Sequence, residues 1–212
     1  MENNINKKKD RKVLNRLAVH NVVLVGGTGC GKSTVGFQLA RLLGFGICDI
    51  DQALEVRSGR KIPEIFQELG EVRFRDMESD IIKEARTIRN HVVVAGGGAI
   101  ERDENWQVLR ELGPVVWLAT PTTEVVQRLV MNPEQLRQRP LLSVIAEIED
   151  RKGREQALAA KLDELLQKRM HRYKEADYSL TCSFATQETC AQFIKSILLE
   201  HGEDPLPQEN LS

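Results

Sequence analysis

Residues 21–34 read NVVLVGGTGCGKST. Val22–Val25 form a short, β-branched apolar run, the pattern of a strand buried on both faces. Gly26 to Ser33 then match G-x-x-x-x-G-K-[ST] at every fixed position. Beyond the loop, Val35, Leu39, Leu42 and Leu43 recur at helical spacing, and Gly44 stands where a helix closes in a left-handed turn. Strand, glycine loop and helix in this order build an anion cradle. Glycines bring backbone N–H groups against phosphate oxygens, and the helix start adds the positive end of its dipole. In this pattern Lys32 reaches the β- and γ-phosphates of a nucleoside triphosphate, and the Ser33 hydroxyl ligates Mg2+.

Two competing phosphate motifs fail. A dinucleotide-binding fingerprint needs a third glycine where Thr34 stands. No N-K-x-D guanine-reading motif follows the loop.

The alternation of strand and helix continues outward from the loop. Ile47–Ile50, Val92–Ala95, Val115–Leu118 and Tyr178–Cys182 read as four further strands. Pro63 opens a short helix holding Ile65, Phe66 and Leu69, and Phe74, Met77, Ile81, Ile82 and Ala85 mark one face of a longer one. Trp106, Leu109 and Leu112 line a helix that stops near Gly113. Val125 and Leu129 begin another. Cys190–Leu199 reads as a closing helix with Phe193, Ile194, Ile197 and Leu198 inside. Strands separated by helices predict an α/β fold of the P-loop nucleoside-triphosphatase type. It has three layers, a five-stranded parallel sheet with helices on both faces, plus a substrate lobe and a lid.

Composition narrows the field. With 212 residues and 41% hydrophobic content, one domain over residues 21–200 can bury its own core. Its substrate lobe is expected near 51–90 and its lid near 131–160. A net charge of −1 excludes a globally basic nucleic-acid-binding surface. Local basic excess is confined to residues 1–20, with Lys7, Lys8, Lys9, Arg11, Lys12 and Arg16, read as a flexible arm. Residues 201–212 read as a polar tail. Cys30, Cys48, Cys182 and Cys190 lack C-x-x-C spacing, so neither a zinc site nor a disulfide framework is expected, and free thiols suit a reducing cytoplasm. No apolar run is long enough to span a membrane, and the basic N-terminus lacks the apolar segment of a secretory signal.

Three further clusters carry chemistry. Asp49 and Asp51 bracket Ile50 at the end of the second strand. Read as a strand end they share a face, toward the crevice beyond the strand carboxyl ends; the alternative is a solvated loop pair or a helix N-cap. One can organise Mg2+ through water, and the other can orient, or take a proton from, an attacking hydroxyl. Arg75 and Glu78 lie three apart on a helix, so the carboxylate can fix the guanidinium, whose fork suits a planar carboxylate. Gly96-Gly97-Gly98 ends the third strand, where a ligand can come close to the backbone.

The phosphate loop, Asp49-x-Asp51, Phe74-Arg75-Asp76-Met77-Glu78, the triple glycine and Arg139-Pro140-Leu141-Leu142 occur in that order. Together they resemble the shikimate kinase family over roughly residues 22–199. The resemblance implies ATP-dependent phosphorylation of the 3-hydroxyl of shikimate, with Mg2+ as cofactor, ATP as co-substrate and a monomeric, cytoplasmic enzyme that binds neither nucleic acid nor membrane. It places Gly29, Cys30, Gly31, Lys32, Ser33 and Thr34 on the nucleotide phosphates, Arg128 near the adenine, and Arg139 as the lid arginine over the phosphates. It places Asp51 on the acceptor hydroxyl, Asp49 near Mg2+, Arg75 on the acceptor carboxylate with Glu78 holding it, and Gly97 in backbone contact with the acceptor. Arg169, ahead of Tyr173, Glu175 and Asp177, resembles a second carboxylate-binding arginine.

This chain departs from the pattern in three places. Cys30 replaces the more usual serine. Met170-His171-Arg172 lacks the usual proline, and His171 reads as a surface residue. Thirty positions separate Arg139 from Arg169, with extra residues near 143–160 that read as a charged, solvated helix. Trp106 and Trp117 are expected in the core.

Overall fold

The computed structural model describes residues 20–183 and 186–200. The basic arm expected over 1–20 lies, His20 apart, outside the described residues, as does the tail 201–212.

Five strands form one parallel sheet: β1 (Asn21–Gly26), β2 (Gly46–Asp49), β3 (His91–Val94), β4 (Val115–Ala119) and β5 (Tyr178–Thr181). Their spatial order is β2-β3-β1-β4-β5, so the phosphate loop leaves the middle of the sheet. Among the described residues nine α-helices connect or cover them. They are α1 (Lys32–Leu43), α2 (Ile50–Ser58), α3 (Ile62–Glu84), α4 (Asp103–Leu112), α5 (Thr122–Val130), α6 (Pro133–Arg137), α7 (Ser143–Ala146), α8 (Arg151–Lys174) and α9 (Gln187–Glu200).

The alternation of strand side chains divides the core. Val23 and Val25 of β1 point into a cluster with Ile50, Leu54, Phe74, Ile82 and Leu109. Val22 and Leu24 point into an opposite cluster with Val35, Leu39, Cys190 and Ile194. Period-two packing of this kind needs helices on both faces, which gives the three expected layers. In a third cluster Val126, Leu129, Leu136 and Leu142 meet Leu158 and Leu162 of α8.

Several local expectations are corrected. The second strand ends at Asp49, and Ile50 opens a helix because the Asp49 carboxylate caps it, accepting from the backbone N–H of Asp51 and Gln52. The short and long helices after Pro63 run on as α3, kinked at Gly70, whose φ of 79° a glycine adopts without strain. Phe193 is 58% exposed, because α9 rests on α1 through Cys190, Ala191, Ile194 and Leu198. The region near 143–160 is largely solvated, as expected, but it is not one continuous helix. It folds as α7, a short turn and the first part of α8, with Ala146 and Leu158 buried in the third cluster and Val144 exposed. Trp106 is buried as expected, whereas Trp117 is half-buried and lines a cleft. His171 is exposed.

All four cysteines are free thiols. Among the described residues no helix is long and apolar enough to cross a membrane.

Candidate active site

The loop between β1 and α1 takes the shape its glycines allow. Gly29 (φ 79°) and Gly31 (φ 92°) lie in the left-handed region. Gly31 caps α1 without any side-chain hydrogen bond, so the first N–H groups of the helix remain available to an anion. Lys32 Nζ donates to the carbonyls of Gly26 and Gly27, each at 2.9 Å, which holds its charge over the loop.

A cleft of about 540 Å³ opens beyond the carboxyl ends of β1, β2 and β3. Of the predicted site residues, Gly29, Gly31, Lys32, Ser33, Thr34, Asp49, Asp51, Arg75, Gly97, Arg128, Arg139 and Arg169 all line it. Cys30 does not. It is buried behind the loop and lines a different cleft, which is compatible with a backbone contact alone.

Asp49 and Asp51 reach the cleft by a route other than strand alternation. Asp49 is the N-cap of α2 and Asp51 lies in its first turn. Burial, reinforced by the neighbouring Asp49 charge, raises the Asp51 pKa above the ordinary carboxylate range, while Lys32 and Arg75 pull it back. A carboxylate held in this way is a stronger base than one in water.

Arg75 Nη1 donates to Glu78 Oε2 at 2.9 Å, and Arg75 Nη2 reaches Glu71 Oε1 at 3.1 Å. Burial pushes Glu78 up to about 7, against the pull of Arg75 and with some help from Asp51. Glu78 Oε1 is buried without a hydrogen-bond partner.

The triple glycine is explained by its neighbours. A Cβ on Gly96 would stand 2.7 Å from Glu78 Oε1 and 2.8 Å from Asp51 Oδ1. On Gly98 it would stand 2.4 Å from Arg75 Nη2, and on Gly97 3.1 Å from Arg169 Nη1. The strand end must be bare for two carboxylates and two guanidinium groups to converge on it.

Arg169 comes from α8 and is 2% exposed. Its Nε donates to Glu101 Oε1 at 2.8 Å. The end of α8 is tied to the sheet side of the molecule. Glu175 accepts from Trp106 Nε1 at 2.6 Å, Asp177 accepts from the Val115 N–H at 2.7 Å, and the Tyr173 ring stacks on Trp117 at 5.1 Å. Glu175 and Asp177 thus act in the structure as anchors. On the lid, Arg139 donates to the Gln135 carbonyl and lies near enough to feel Asp51, and Arg128 pairs with Glu124 at 3.2 Å.

Sequence reasoning missed Glu101, Glu71, Phe66 and Gln138. Phe66 and Gln138 line the cleft, and Glu71 and Glu101 hold two of its arginines, Arg75 and Arg169. Glu101 carries no local signal, since its partner lies 68 positions away.

A glycine loop at the end of a central strand, its lysine, a cluster of carboxylates and Arg139 lining one cleft define a P-loop kinase. Two arginines, the half-buried Arg75 and the buried Arg169, line the same cleft, and comparison with known proteins narrows that class. Residues 28–199 match the family model described as shikimate kinase, and the chain belongs to the shikimate kinase family. It is 37% identical to a shikimate kinase of Thermodesulfovibrio yellowstonii over 82% of this chain and 92% of that one. It is 40% identical to one of Persephonella marina over 77% and 89%. The solved Acinetobacter baumannii shikimate kinase in complex with shikimate superposes with a TM-score of 0.77 at 34% identity, covering 90% of this chain and 98% of that one.

Proposed function

We propose that this chain transfers the γ-phosphoryl group of ATP to the 3-hydroxyl of shikimate, giving shikimate 3-phosphate and ADP for aromatic amino-acid synthesis. One observation carries this reading. Asp51 lines a single cleft together with Lys32 of the phosphate loop and two arginines, Arg75 and Arg169. An acceptor held there needs a carboxylate for the arginines and a hydroxyl for the aspartate, and shikimate has both.

Each residue then has a physical role. The loop N–H groups of Gly29–Thr34 and Lys32 bind the phosphates. Arg75 and Arg169 grip the carboxylate, and the Gly97 backbone supports the ring. Asp51 aligns the hydroxyl and takes its proton as that oxygen bonds to the γ-phosphorus and the bond to ADP breaks. Arg139, carried by the lid, offsets charge on the transferring group, and Arg128 flanks the base. Ser33 and Asp49, the latter through water, would hold Mg2+. Hydroxyl and carboxylate oxygens suit this hard cation, which needs no protein cage when phosphates and water complete its shell. The ion supplies charge neutralisation along the phosphates. The chain acts as a monomer in the cytoplasm, where free thiols persist.

The test is ADP release from MgATP, coupled to a reporter, with shikimate, gluconate, nucleoside monophosphates or no acceptor. Release that requires shikimate, and is lost in Asp51→Asn and Lys32→Met, is expected. Release that requires gluconate or a nucleotide instead overturns the acceptor and leaves the kinase class intact.

A further inference from the structure

Glu78 is fully buried, and its two carboxylate oxygens have unequal surroundings. Oε2 accepts from Arg75 Nη1 at 2.9 Å, whereas Oε1 has no hydrogen-bond partner. The Gly96 backbone closes the space beside Oε1. A Cβ built there would stand 2.7 Å from it and 2.8 Å from Asp51 Oδ1. A buried carboxylate oxygen that receives no donor is costly while the group is ionised. A proton is small enough to relieve that cost without moving the backbone.

The charges that face Glu78 come from three helices. Arg75 lies on its own helix α3, Asp51 on α2 and Arg169 on α8. The strand-end glycines bring none, and Glu101 is already engaged by Lys168 and Arg169. Burial outweighs the two arginines, so Glu78 stands between its two forms near neutral pH. Arg75 already serves a second carboxylate, since its Nη2 reaches the exposed Glu71 at 3.1 Å. An acceptor carboxylate is a third claim on one guanidinium.

Such an acceptor adds a negative charge beside Glu78 and draws on the cation that favours its ionised form. Both effects favour the neutral acid. We propose that Glu78 takes up a proton when a carboxylate occupies Arg75, so that acceptor binding is proton-linked and Glu78 is a positioning residue that responds to the charge of the acceptor. The linkage rests on the acceptor reading given above. The proton comes from bulk solvent and returns there when the carboxylate leaves. Because binding raises the affinity of Glu78 for its proton, acceptor affinity is highest below the free-state midpoint and is lost as pH rises through the bound-state one.

Calorimetry of the full chain with shikimate, repeated in buffers of different ionisation enthalpy, counts the protons. An uptake of about half a proton per shikimate is expected near a pH of about 7.5, and affinity is expected to weaken roughly sevenfold between about pH 6.5 and about pH 9. Glu78→Gln is expected to abolish the uptake and flatten that dependence. Glu71→Gln, which removes the exposed partner of the same arginine, is expected to leave both in place. A purely structural role for Glu78 would change affinity alike at every pH and take up no proton. An infrared difference spectrum of the parent gives a reading that needs no variant. Shikimate is expected to add the C=O band of a protonated carboxyl, and the band is expected to move when glutamate carboxyls carry carbon-13. Binding heat that is independent of buffer overturns the linkage, and uptake that persists unchanged in Glu78→Gln overturns its assignment to this residue. Absence of any binding overturns the acceptor reading and the linkage with it.

Discussion

Arg169 and Glu101 form a pair across 68 positions of sequence, the guanidinium Nε donating to the carboxylate at 2.8 Å from a side chain that is 2% exposed. The other Glu101 oxygen takes Lys168 Nζ at 2.6 Å, and these two cations outweigh burial to hold the Glu101 pKa below its ordinary value. A buried cation depends on its partner more than the partner depends on it.

Glu101→Gln keeps one acceptor oxygen for Arg169 and removes the charge. The expected result is an increase of about tenfold in acceptor KM, with a smaller change in kcat, as one charge-assisted bond becomes a neutral one. Steady-state kinetics with shikimate varied and MgATP saturating measures it. An unchanged KM would remove Glu101 as the residue that positions Arg169.

Gly98→Ala tests the bare strand end. The backbone at Gly98 is right-handed (φ −95°, ψ −10°), so alanine meets no torsional strain there. Its methyl would instead stand 2.4 Å from Arg75 Nη2 and displace the guanidinium. Acceptor KM is expected to rise at least about tenfold, the loss of a bidentate contact, with ATP KM nearly unchanged. Equal effects on both substrates would contradict the assignment of Arg75 to the acceptor.

The pH profile reports on Asp51. Its raised pKa moves the acid limb of kcat/KM to higher pH than an unperturbed aspartate would give. Asp49→Asn keeps an oxygen that caps α2 and removes the adjacent negative charge. Turnover falls if Asp49 serves Mg2+, but the acid limb is also expected to move to lower pH. A limb that stays in place would mean that another group sets it.

Glu78 makes stability depend on pH. Its folded pKa of about 7 lies above the value of 4.5 for a free glutamate. Between those values the folded chain binds more protons than the unfolded one, so stability is fully present below about 4.5 and falls as pH rises through 7. The loss at high pH is on the order of 3 kcal/mol. Glu78→Gln keeps an oxygen for Arg75 without the ionisation, so it is expected to gain on the parent at pH 8 and to match it near pH 4.5. Urea melts at both pH values measure the difference, and parallel behaviour at both would refute it.

The fold was legible where pattern and covalent geometry decide it. Period-two apolar residues and the glycine loop lead to the sheet and its nucleotide end without reference to distant contacts. Site residues tied to local motifs, from Lys32 to Arg75 and Arg139, converge on one cleft for the same reason. What escaped depends on long-range packing. For the D-x-D pair, strand alternation and a capping role for Asp49 compete on equal local terms, and only the fold decides for the cap. Phe193 was placed inside because both faces of α9 carry apolar residues and only the docking on α1 chooses between them. Glu101 was invisible because nothing near it in sequence announces its partner.

The 24-residue helix α8 has consequences for how such a chain can change length over generations. Arg169 sits near its anchored end, and the helix turns about 100° per residue. One residue gained or lost between Ala159 and Lys168 would leave that arginine in register with the anchors Tyr173, Glu175 and Asp177 and would instead swing Leu158 away from the cluster it packs in. Residues gained before Asp150 rotate nothing, because the capped start of the helix can be redrawn around them. The thirty-position interval between Arg139 and Arg169 is therefore a tolerant stretch joined to an intolerant one, and lid length can drift by insertion without disturbing the grip on the acceptor.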